Sequence, residues 1–432
     1  MERRAFVKSM TLGLASLNAV NGANAAEPAA APENANAATE RFRKLCQELK
    51  GSSGDESTWE CLRRDLLVKP GLIYFNTGSV GCTPRSVVDA ISGWLAEIEQ
   101  DPVHEVWGPL GNQTEDVRAK AAKFYGAQLD ETVLIENTTT GMNMIAEGIA
   151  HSLKPGDEIL TTNHEHPGGM ICWEYLAKHR GVKIVQIPMP APAKDKDQIV
   201  ELVKKHLTKK TKVCSFSHVE TITGIQMPLA EISKLTRPRN ILLVCDGAQA
   251  PGMLKIDVKA LGVDTYASSS HKWLMASKGS GLLYIRKEVQ DRILPIALST
   301  GYGSYTAGSG TRNVAQLLGH GVSMDIHNAI GREAIEKRCK ALNAYLRKRF
   351  GEVDGLKPLT SNDPELTTGI ASFGLKKGKM SEIYERLHKE HHIVVKAVPK
   401  AEYNAFRFST HIYNTEQQID TTAEVLAGIL KG

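Results

Sequence analysis

Long apolar runs, long basic runs and closely paired cysteines are all missing from this chain of 432 residues. Because a spanning helix needs about 18 or more consecutive apolar residues, the sequence predicts no membrane span. The net charge of +5 is modest and is not gathered into one basic run, which argues against nucleic acid as a partner. The seven cysteines form no CxxC pair, so a zinc or thioredoxin-type site has no support, and their odd number leaves at least one unpaired. With 42% hydrophobic and 23% charged residues, the composition is that of a globular protein with an ample core.

The N-terminus has the features of an export signal. Arg3 and Arg4 form a twin arginine, and a mildly apolar, small-residue segment follows and ends in Ala-Asn-Ala at 23–25. An amphipathic first helix with two chance arginines is the alternative, but glycine, asparagine and serine make this segment a poor core helix. The pattern resembles the twin-arginine (Tat) signal, so we expect residues 1–25 to be removed by export through the Tat translocase to the periplasm. Residues 26–39 are then expected to be a disordered leader.

Two polar clusters follow neighbouring strands in the middle of the chain. The apolar run ILLVCD ends in Asp246, with Gln249 close behind, and the next predicted strand leads into Ser269, His271 and Lys272. Alone, such a lysine is usually a solvated surface residue and such an aspartate a helix N-cap. Together, at the carboxyl ends of strands where ligands bind, they suit pyridoxal phosphate (PLP) chemistry. The lysine amine binds the aldehyde of PLP, and the carboxylate keeps the pyridine nitrogen protonated.

A third cluster lies between a strand and a helix at ENTTTG, where Thr138 and Thr139 stand at the predicted helix N-terminus. Simple capping by a threonine is one interpretation. A phosphate cradle is the other, because free N–H groups and the helix dipole favour an anion there. The NHEHP loop carries His164 and His166 only two positions apart, without the i, i+4 spacing of a helical zinc motif, and we predict no metal.

DGAQ followed by SSSHK resembles the class V aminotransferase family, which includes cysteine desulfurases and isopenicillin N epimerase-like enzymes. The resemblance runs from about Gly71 to the end. It implies an α/β chain of PLP fold type I, in which a large domain has a mostly parallel seven-stranded sheet and a smaller C-terminal domain is also α/β. The domains expected from it are an N-terminal segment 40–80 that contributes to the small domain, a large PLP-binding domain 81–327 and a small domain 328–432.

The resemblance also implies roles for individual residues. Lys272 carries PLP, Asp246 pairs with the ring nitrogen, and His166 lies against the ring and assists proton transfer. The implied cofactor-binding residues are Thr138, Thr139, Thr221, Asp246, Gln249, Ser269, His271, Lys272 and Thr311. The implied substrate-binding residues are Asn76, Gly78, Ser79 and Arg407, of which the arginine grips the substrate carboxylate.

Three of these residues depart from the family pattern or have another explanation. Thr221 stands where relatives commonly have an asparagine, which puts its ring contact in doubt. Thr311 belongs to a GSGTRN segment that relatives supply from the neighbouring subunit, so we expect a homodimer with a shared active site. Without the resemblance, this segment is equally well explained as a surface loop, and Arg407 as an exposed ion-pair partner.

The reaction is less defined than the cofactor, since transamination, racemisation, elimination and decarboxylation all start from PLP. The segment KAVPKAEYNAFRFS before and around Arg407 contains no cysteine, which disfavours a desulfurase. The epimerase-like group remains, and the twin arginine makes the chain similar to exported members that modify the glutamate side chain of the siderophore pyoverdine. The expected substrate is thus an amino acid or a peptide-derived metabolite. A non-catalytic binding module on the same fold is the alternative of a different class.

Overall fold

The computed structural model describes residues 33–50, 54–398 and 400–431, so the predicted signal 1–25 lies outside the described residues. The helices are α1 (Glu33–Leu49), α2 (Glu56–Asp65), α3 (Arg85–Ile98), α4 (Pro102–Trp107), α5 (Pro109–Tyr125), α6 (Thr138–Ile149), α7 (Pro167–Arg180), α8 (Lys196–His206), α9 (Leu229–Thr236), α10 (Val258–Leu261), α11 (Val314–Ile330), α12 (Arg332–Gly351), α13 (Met380–His391) and α14 (Glu416–Lys431). The strands are β1 (Ile73–Tyr74), β2 (Thr132–Ile135), β3 (Glu158–Thr162), β4 (Lys183–Ile187), β5 (Thr211–Ser217), β6 (Leu242–Asp246), β7 (Thr265–Ser269), β8 (Gly281–Ile285), β9 (Leu356–Pro358), β10 (Ile370–Leu375), β11 (Ile393–Val394), β12 (Lys396–Ala397) and β13 (Ala405–Ser409).

A seven-stranded sheet with the order β2-β8-β7-β6-β5-β3-β4 forms the centre of the larger part of the chain. The strands from β7 to β4 pair in parallel, and β8 runs antiparallel to both β7 and β2. The predicted mostly parallel seven-stranded sheet is therefore confirmed. Strands β6 and β7 are buried along their whole length, as expected where helices cover both faces of a sheet.

The register of the central strands places the polar clusters at one edge. Ser217, at the end of β5, pairs with Asp246 at the end of β6, and Asp246 pairs with Ala267 in β7. Lys272 follows three residues after the end of β7. Because parallel strands end at the same edge of a sheet, the acid and the amine lie at the place where such sheets bind ligands.

A second, four-stranded antiparallel sheet has the order β12-β13-β10-β9 and carries Arg407 on β13. Its core is mainly aliphatic but includes the phenylalanines Phe350, Phe373, Phe406 and Phe408. Strand β1 pairs in parallel with β11, so the N-terminal segment reaches the C-terminal part of the fold. This pairing places the Asn76–Ser79 turn, directly after β1, beside the strand that carries Arg407.

The first helix corrects part of the predicted leader. Disorder was expected for 26–39, but α1 begins at Glu33, and of that segment only 26–32 lies outside the described residues. The sequence ENANAATERF is rich in alanine and glutamate, which are good helix formers, and Leu45 and Leu49 give the helix a buried side. The predicted boundary at 328 falls within the last turn of α11, which ends at Ile330.

The cysteines do not crosslink the fold, and the described residues contain neither a metal site nor a membrane-spanning helix. All seven cysteines lie within the described ranges and are free, and Cys214 and Cys245 are buried in apolar strands. Among the described residues no group of three or more histidine, cysteine or acidic side chains could hold a metal ion. In the same residues, every helix is too short or too polar to cross a membrane.

Candidate active site

A cleft of about 730 Å³ opens at the carboxyl edge of the central sheet, between it and the four-stranded sheet. Its wall includes all of the predicted site residues except Asn76 and Thr311. The lining residues are Gly78, Ser79, Asn137, Thr138, Thr139, Thr140, Asn143, His166, Pro167, Gly168, Gly169, Thr221, Asp246, Ala248, Gln249, Ser269, His271, Lys272, Lys396, Val398 and Arg407. The fold thus gathers residues that are more than 300 positions apart in the sequence, from Gly78 to Arg407.

Asp246 is fixed in the floor of the cleft by its position at the end of β6. One carboxylate oxygen accepts a hydrogen bond of 2.9 Å from the Ala248 amide, and the side chain is only 6% exposed. Burial raises its pKa above the usual range, and the Ala248 N–H, Lys272 and His166 oppose that shift. A cation placed against this carboxylate would favour its ionised form, which is the environment that a protonated pyridine nitrogen provides.

Lys272 is partly buried in the turn after β7, and burial lowers the pKa of its amine to about 8. Asp246 opposes this shift, and Arg407 adds to it. A lowered pKa leaves a larger neutral fraction of the amine at neutral pH, and the neutral amine is the nucleophile.

This shift gives a pH-dependent prediction for labelling of Lys272. In protein stripped of cofactor, acetylation of Lys272 by acetic anhydride should rise with pH and reach half its maximum near pH 8, since burial lowers the pKa to about 8. A lysine peptide added as an internal standard should reach half-maximum near its ordinary pKa of about 10.4. Mass spectrometry of the peptide containing Lys272 and of the standard peptide measures the two acetylation profiles. Identical profiles for Lys272 and the standard would contradict the lowered pKa.

The backbone of Lys272 is held by a glycine from the N-terminal segment. The Gly81 amide donates to the His271 carbonyl at 2.8 Å, and a Cβ added at Gly81 would lie 1.9 Å from the Lys272 carbonyl oxygen. Because the atom in contact belongs to the backbone, this clash can be removed only if the turn that contains Lys272 moves. A side chain at position 81 is therefore incompatible with the observed position of Lys272.

We expect Gly81→Ala to lower the free energy of unfolding by roughly 3 kcal/mol, because it overpacks a rigid site. Urea denaturation followed by circular dichroism measures the change. Gly428→Ala is the matched control: Gly428 lies in α14 with nothing within 4 Å of an added Cβ, and the exchange should stabilise the protein by about 0.5–1 kcal/mol. Equal stabilities of the two variants would contradict the close approach at Gly81.

The predicted phosphate cradle is built from the N-terminus of α6 and the end of β7. Asn137 caps the helix by accepting from the Thr140 amide at 3.0 Å, while the Thr138 amide donates to the Ser269 hydroxyl at 2.9 Å. Nearby, buried Nδ1 of His271 has no hydrogen-bond partner within the described part of the chain. Helix N–H groups, hydroxyls and an unpaired imidazole nitrogen together suit a phosphate.

His166 is exposed to the cleft and caps α7. Its Nδ1 accepts a hydrogen bond of 3.0 Å from the Gly168 amide, which assigns the proton of the neutral ring to Nε2. Burial and Lys272 lower its pKa, so the neutral form prevails at pH 7. The preceding Glu165 accepts from Ser217, and burial raises the pKa of that carboxyl to about 8.

Arg407 lies 2% exposed on β13, and its guanidinium is fixed from two sides. One terminal nitrogen donates to both oxygens of Thr221, and the other donates to Ser79 at 3.1 Å and to Asn76 at 3.4 Å. Its Nε has no partner among the residues that the structure describes. A buried donor of this kind is free for a carboxylate, and burial lowers the pKa of Arg407 only to about 10, so the cation persists at neutral pH.

Other predicted residues have contacts that differ from the implied roles. Thr221 lines the cleft, but its hydroxyl is engaged by Arg407. The Gln249 amide donates to the Gly78 carbonyl at 2.7 Å and accepts from Trp273 at 2.9 Å. Thr311 is exposed and outside this chain's cleft. These contacts leave the implied ring contacts of Thr221 and Gln249, and the intersubunit role of Thr311, as predictions.

The cleft fits PLP in three respects. Asp246 would face the pyridine nitrogen, Lys272 would hold the aldehyde carbon, and the α6 N-terminus with Ser269 and His271 would hold the phosphate. These residues supply one buried acid, one amine of lowered pKa and an unpaired buried imidazole nitrogen. PLP has a group that matches each of the three. PLP is accordingly the cofactor that these residues are suited to bind.

The lining residues that were not predicted from the sequence include Lys396, Asn143 and Thr140. Thr140 was within reach of prediction because it continues the threonine run of α6. Asn143 lies one turn into the same helix and carries no motif of its own. Lys396 gives no signal in the sequence, since only its pairing with Arg407 brings it to the cleft.

Comparisons with known proteins agree with the site. The family described as aminotransferase class-V matches residues 73–422. An isopenicillin N epimerase of Amycolatopsis lactamdurans is 29% identical over 396 residues, which are 87% of this chain and 99% of that protein.

Solved structures show the same fold. The apo structure of a cysteine desulfurase from Thermococcus onnurineus NA1 has a TM-score of 0.75 at 25% identity, covering 86% of this chain and 98% of that one. A variant of C-DES with glycine covalently linked to its PLP cofactor has a TM-score of 0.75 at 23% identity, covering 83% and 97%. With a family match over residues 73–422 and a cleft that offers PLP an acid, an amine and a phosphate cradle, this chain belongs to the class V aminotransferase family of PLP-dependent enzymes.

Proposed function

We propose that the mature protein is a periplasmic PLP enzyme that acts at the amino group and Cα of an amino acid or a peptide-derived metabolite. The observation that carries this proposal is the placement of Lys272, Asp246 and Arg407 in one cleft, with Nε of the arginine free. An amine, a buried acid and a carboxylate-binding cation at one place match the three groups that an α-amino acid and PLP bring together.

The chain's own residues have separate tasks in this proposal. Arg407 binds the α-carboxylate, held in place by Thr221 and Ser79, and thereby orients the Cα–H bond. The Lys272 amine, whose pKa burial lowers to about 8, can take a proton from Cα at neutral pH and return it. His166, neutral and exposed to the cleft, is available as a second proton carrier. PLP supplies the electron sink that makes the Cα proton acidic.

Epimerisation or transamination is favoured over desulfuration. Desulfuration in this family needs a cysteine in the segment before Arg407, and the segment KAVPKAEYNAFRFS of this chain contains none. The Tyr403 hydroxyl lies 2.7 Å from Nε2 of His164, which in turn contacts Glu220 at 3.0 Å. This chain of contacts fixes the segment against the larger part of the fold. The likeness to isopenicillin N epimerases supports the same choice, although cysteine desulfurases are also among the relatives.

The proposed substrate and compartment rest on the predicted N-terminal signal together with the family. The twin arginine supports Tat export, and its similarity to exported pyoverdine-modifying members makes the glutamate side chain of a pyoverdine precursor our substrate proposal. Deletion of the gene in the native host should change the periplasmic metabolite profile. An unchanged profile would count against this substrate.

A homodimer with a shared site completes the proposal. The exposed Thr311 is then the partner subunit's contribution to the phosphate cradle. Large apolar side chains on the surface support association, since Ile296 is 70% exposed and Leu294 58% exposed. Trp107 and Tyr305 form an exposed edge-to-face pair with ring centroids 4.7 Å apart.

Absorption spectroscopy tests the enzyme against the alternative of a non-catalytic binding module. Purified protein should be yellow, lose its visible band on borohydride reduction, and then carry the reduced cofactor on the peptide containing Lys272. Addition of a substrate amino acid should shift the band, and chiral chromatography separates epimerisation from 2-oxo acid formation. A colourless protein that ignores added PLP would favour the binding module.

A further inference from the structure

Lys396 is a cation in the cleft to which the proposed reaction gives no task. It lies on β12, where it pairs directly with Arg407 of the antiparallel strand β13. Residues opposite each other in an antiparallel pair project to the same face, with Cβ atoms about 4.5–5.5 Å apart. Both side chains line the cleft, and Lys396 is the exposed member of the pair while Arg407 is buried.

The other charged groups of the cleft already have counterparts. Asp246 and Lys272 match the ring nitrogen and the aldehyde carbon of PLP, and Arg407 matches one carboxylate. The side-chain amine of Lys396 has neither an ion-pair nor a hydrogen-bond partner within residues 33–50, 54–398 and 400–431. Its charge reaches the reaction centre, because it is among the cations that help to lower the pKa of His166, after burial and Lys272.

We propose that Lys396 binds a second carboxylate of the substrate, so that the enzyme selects dicarboxylic amino acids over neutral ones. This inference rests on the proposed function, with Arg407 holding the α-carboxylate, and it concerns free dicarboxylic amino acids, because a glutamate joined to a larger molecule through one carboxyl keeps only the other. The cross-strand pair then forms a two-point clamp: a buried guanidinium at depth and a mobile ammonium towards the mouth. Lys396 makes a point-charge contact without fixed geometry, which suits a flexible side-chain carboxylate.

Dicarboxylates without an amino group test the clamp independently of catalysis. Isothermal titration calorimetry of the PLP-loaded enzyme should show glutarate binding about fivefold more tightly than butyrate, the gain expected for one exposed ion pair. Lys396→Met should remove this difference and leave butyrate affinity unchanged. Lys396→Glu should reverse it, so that butyrate binds more tightly than glutarate.

Lys357→Met is the matched control, since Lys357 is also an exposed lysine of the four-stranded sheet and lies outside the cleft. It should leave the preference for glutarate intact. Equal affinities of glutarate and butyrate in the unaltered enzyme would overturn the clamp. So would a Lys396→Met variant that keeps the preference, or one that loses PLP affinity instead, because the lysine would then serve the phosphate.

The failure of this inference differs from that of the proposed function. If borohydride traps PLP on Lys272 but glutarate and butyrate bind equally, the clamp is wrong and the proposed PLP enzyme is unaffected. If glutarate binds more tightly than butyrate and Lys396→Met removes this preference, but no amino acid shifts the visible band, Lys396 forms an anion site and the proposed reaction is wrong.

Discussion

Replacing Lys272 by alanine is expected to reduce turnover of an amino-acid substrate by about 10³- to 10⁴-fold, the upper range for loss of a positioned acid–base group. Lys272 is the amine in the cleft whose pKa burial lowers to about 8, and it shares the floor with Asp246. Under the proposed function, the substitution would remove both the attachment point for PLP and the base beside Cα. Kinetics at saturating PLP, combined with the visible spectrum, measure the two losses separately.

The stability of this variant separates a chemical effect from an unfolding one. A lysine whose folded pKa is lowered destabilises the fold when charged, and this penalty is full below about pH 8 and fades as pH rises above it. In protein stripped of cofactor, Lys272→Ala should therefore melt at pH 7 at the same temperature as the unaltered protein or higher. Turnover retained at the unaltered level would contradict the assignment of Lys272. If the melting temperature of Lys272→Ala fell sharply, the visible spectrum of Lys272→Arg would test the assignment instead.

The residues found from the sequence are those fixed by local context. Asp246 ends one buried strand, Lys272 lies three residues after the end of the next strand, and Thr138 opens a helix, so a periodicity change within a few positions marks each of them. Parallel pairing of β6 with β7 then brings the first two to one edge without further information. The family resemblance adds the long-range partner, Arg407, which no local pattern connects to the cleft.

The residues that the sequence did not give depend on register and on contacts between distant segments. Lys396 reaches the cleft only because β12 and β13 pair in a register that sets it opposite Arg407. Tyr403 and His164 are 239 positions apart, and a single hydrogen bond of 2.7 Å joins them. The start of α1 at Glu33 was missed for another reason: the alanine-rich composition that suggested disorder also favours a helix once Leu45 and Leu49 can be buried.

Arg407→Gln is expected to lower kcat/KM for amino-acid substrates by about 10²- to 10³-fold, since loss of one partner of a buried charge pair costs about 2–5 kcal/mol. The guanidinium is 2% exposed and its Nε is unpaired among the described residues, so glutamine would leave the substrate carboxylate buried without a cation. Arg407→Lys should recover only part of the loss, because an ammonium cannot make the paired contacts of a guanidinium. Steady-state kinetics with one amino acid at several pH values measure the effect.

The control variant for this prediction is Arg347→Lys. Arg347 donates to Asn343 and to the Ser361 carbonyl in the same part of the fold, outside the cleft, so its loss should leave kcat/KM unchanged. The contacts of Arg407 with Thr221 and Ser79 also predict a graded series: Ser79→Ala should weaken substrate binding less than Arg407→Gln does, because one anchor of the guanidinium remains. If Arg407→Gln left KM unaltered while Lys396→Met raised it, the α-carboxylate would bind at the mouth of the cleft. The substrate would then lie in the reverse orientation between the two cations.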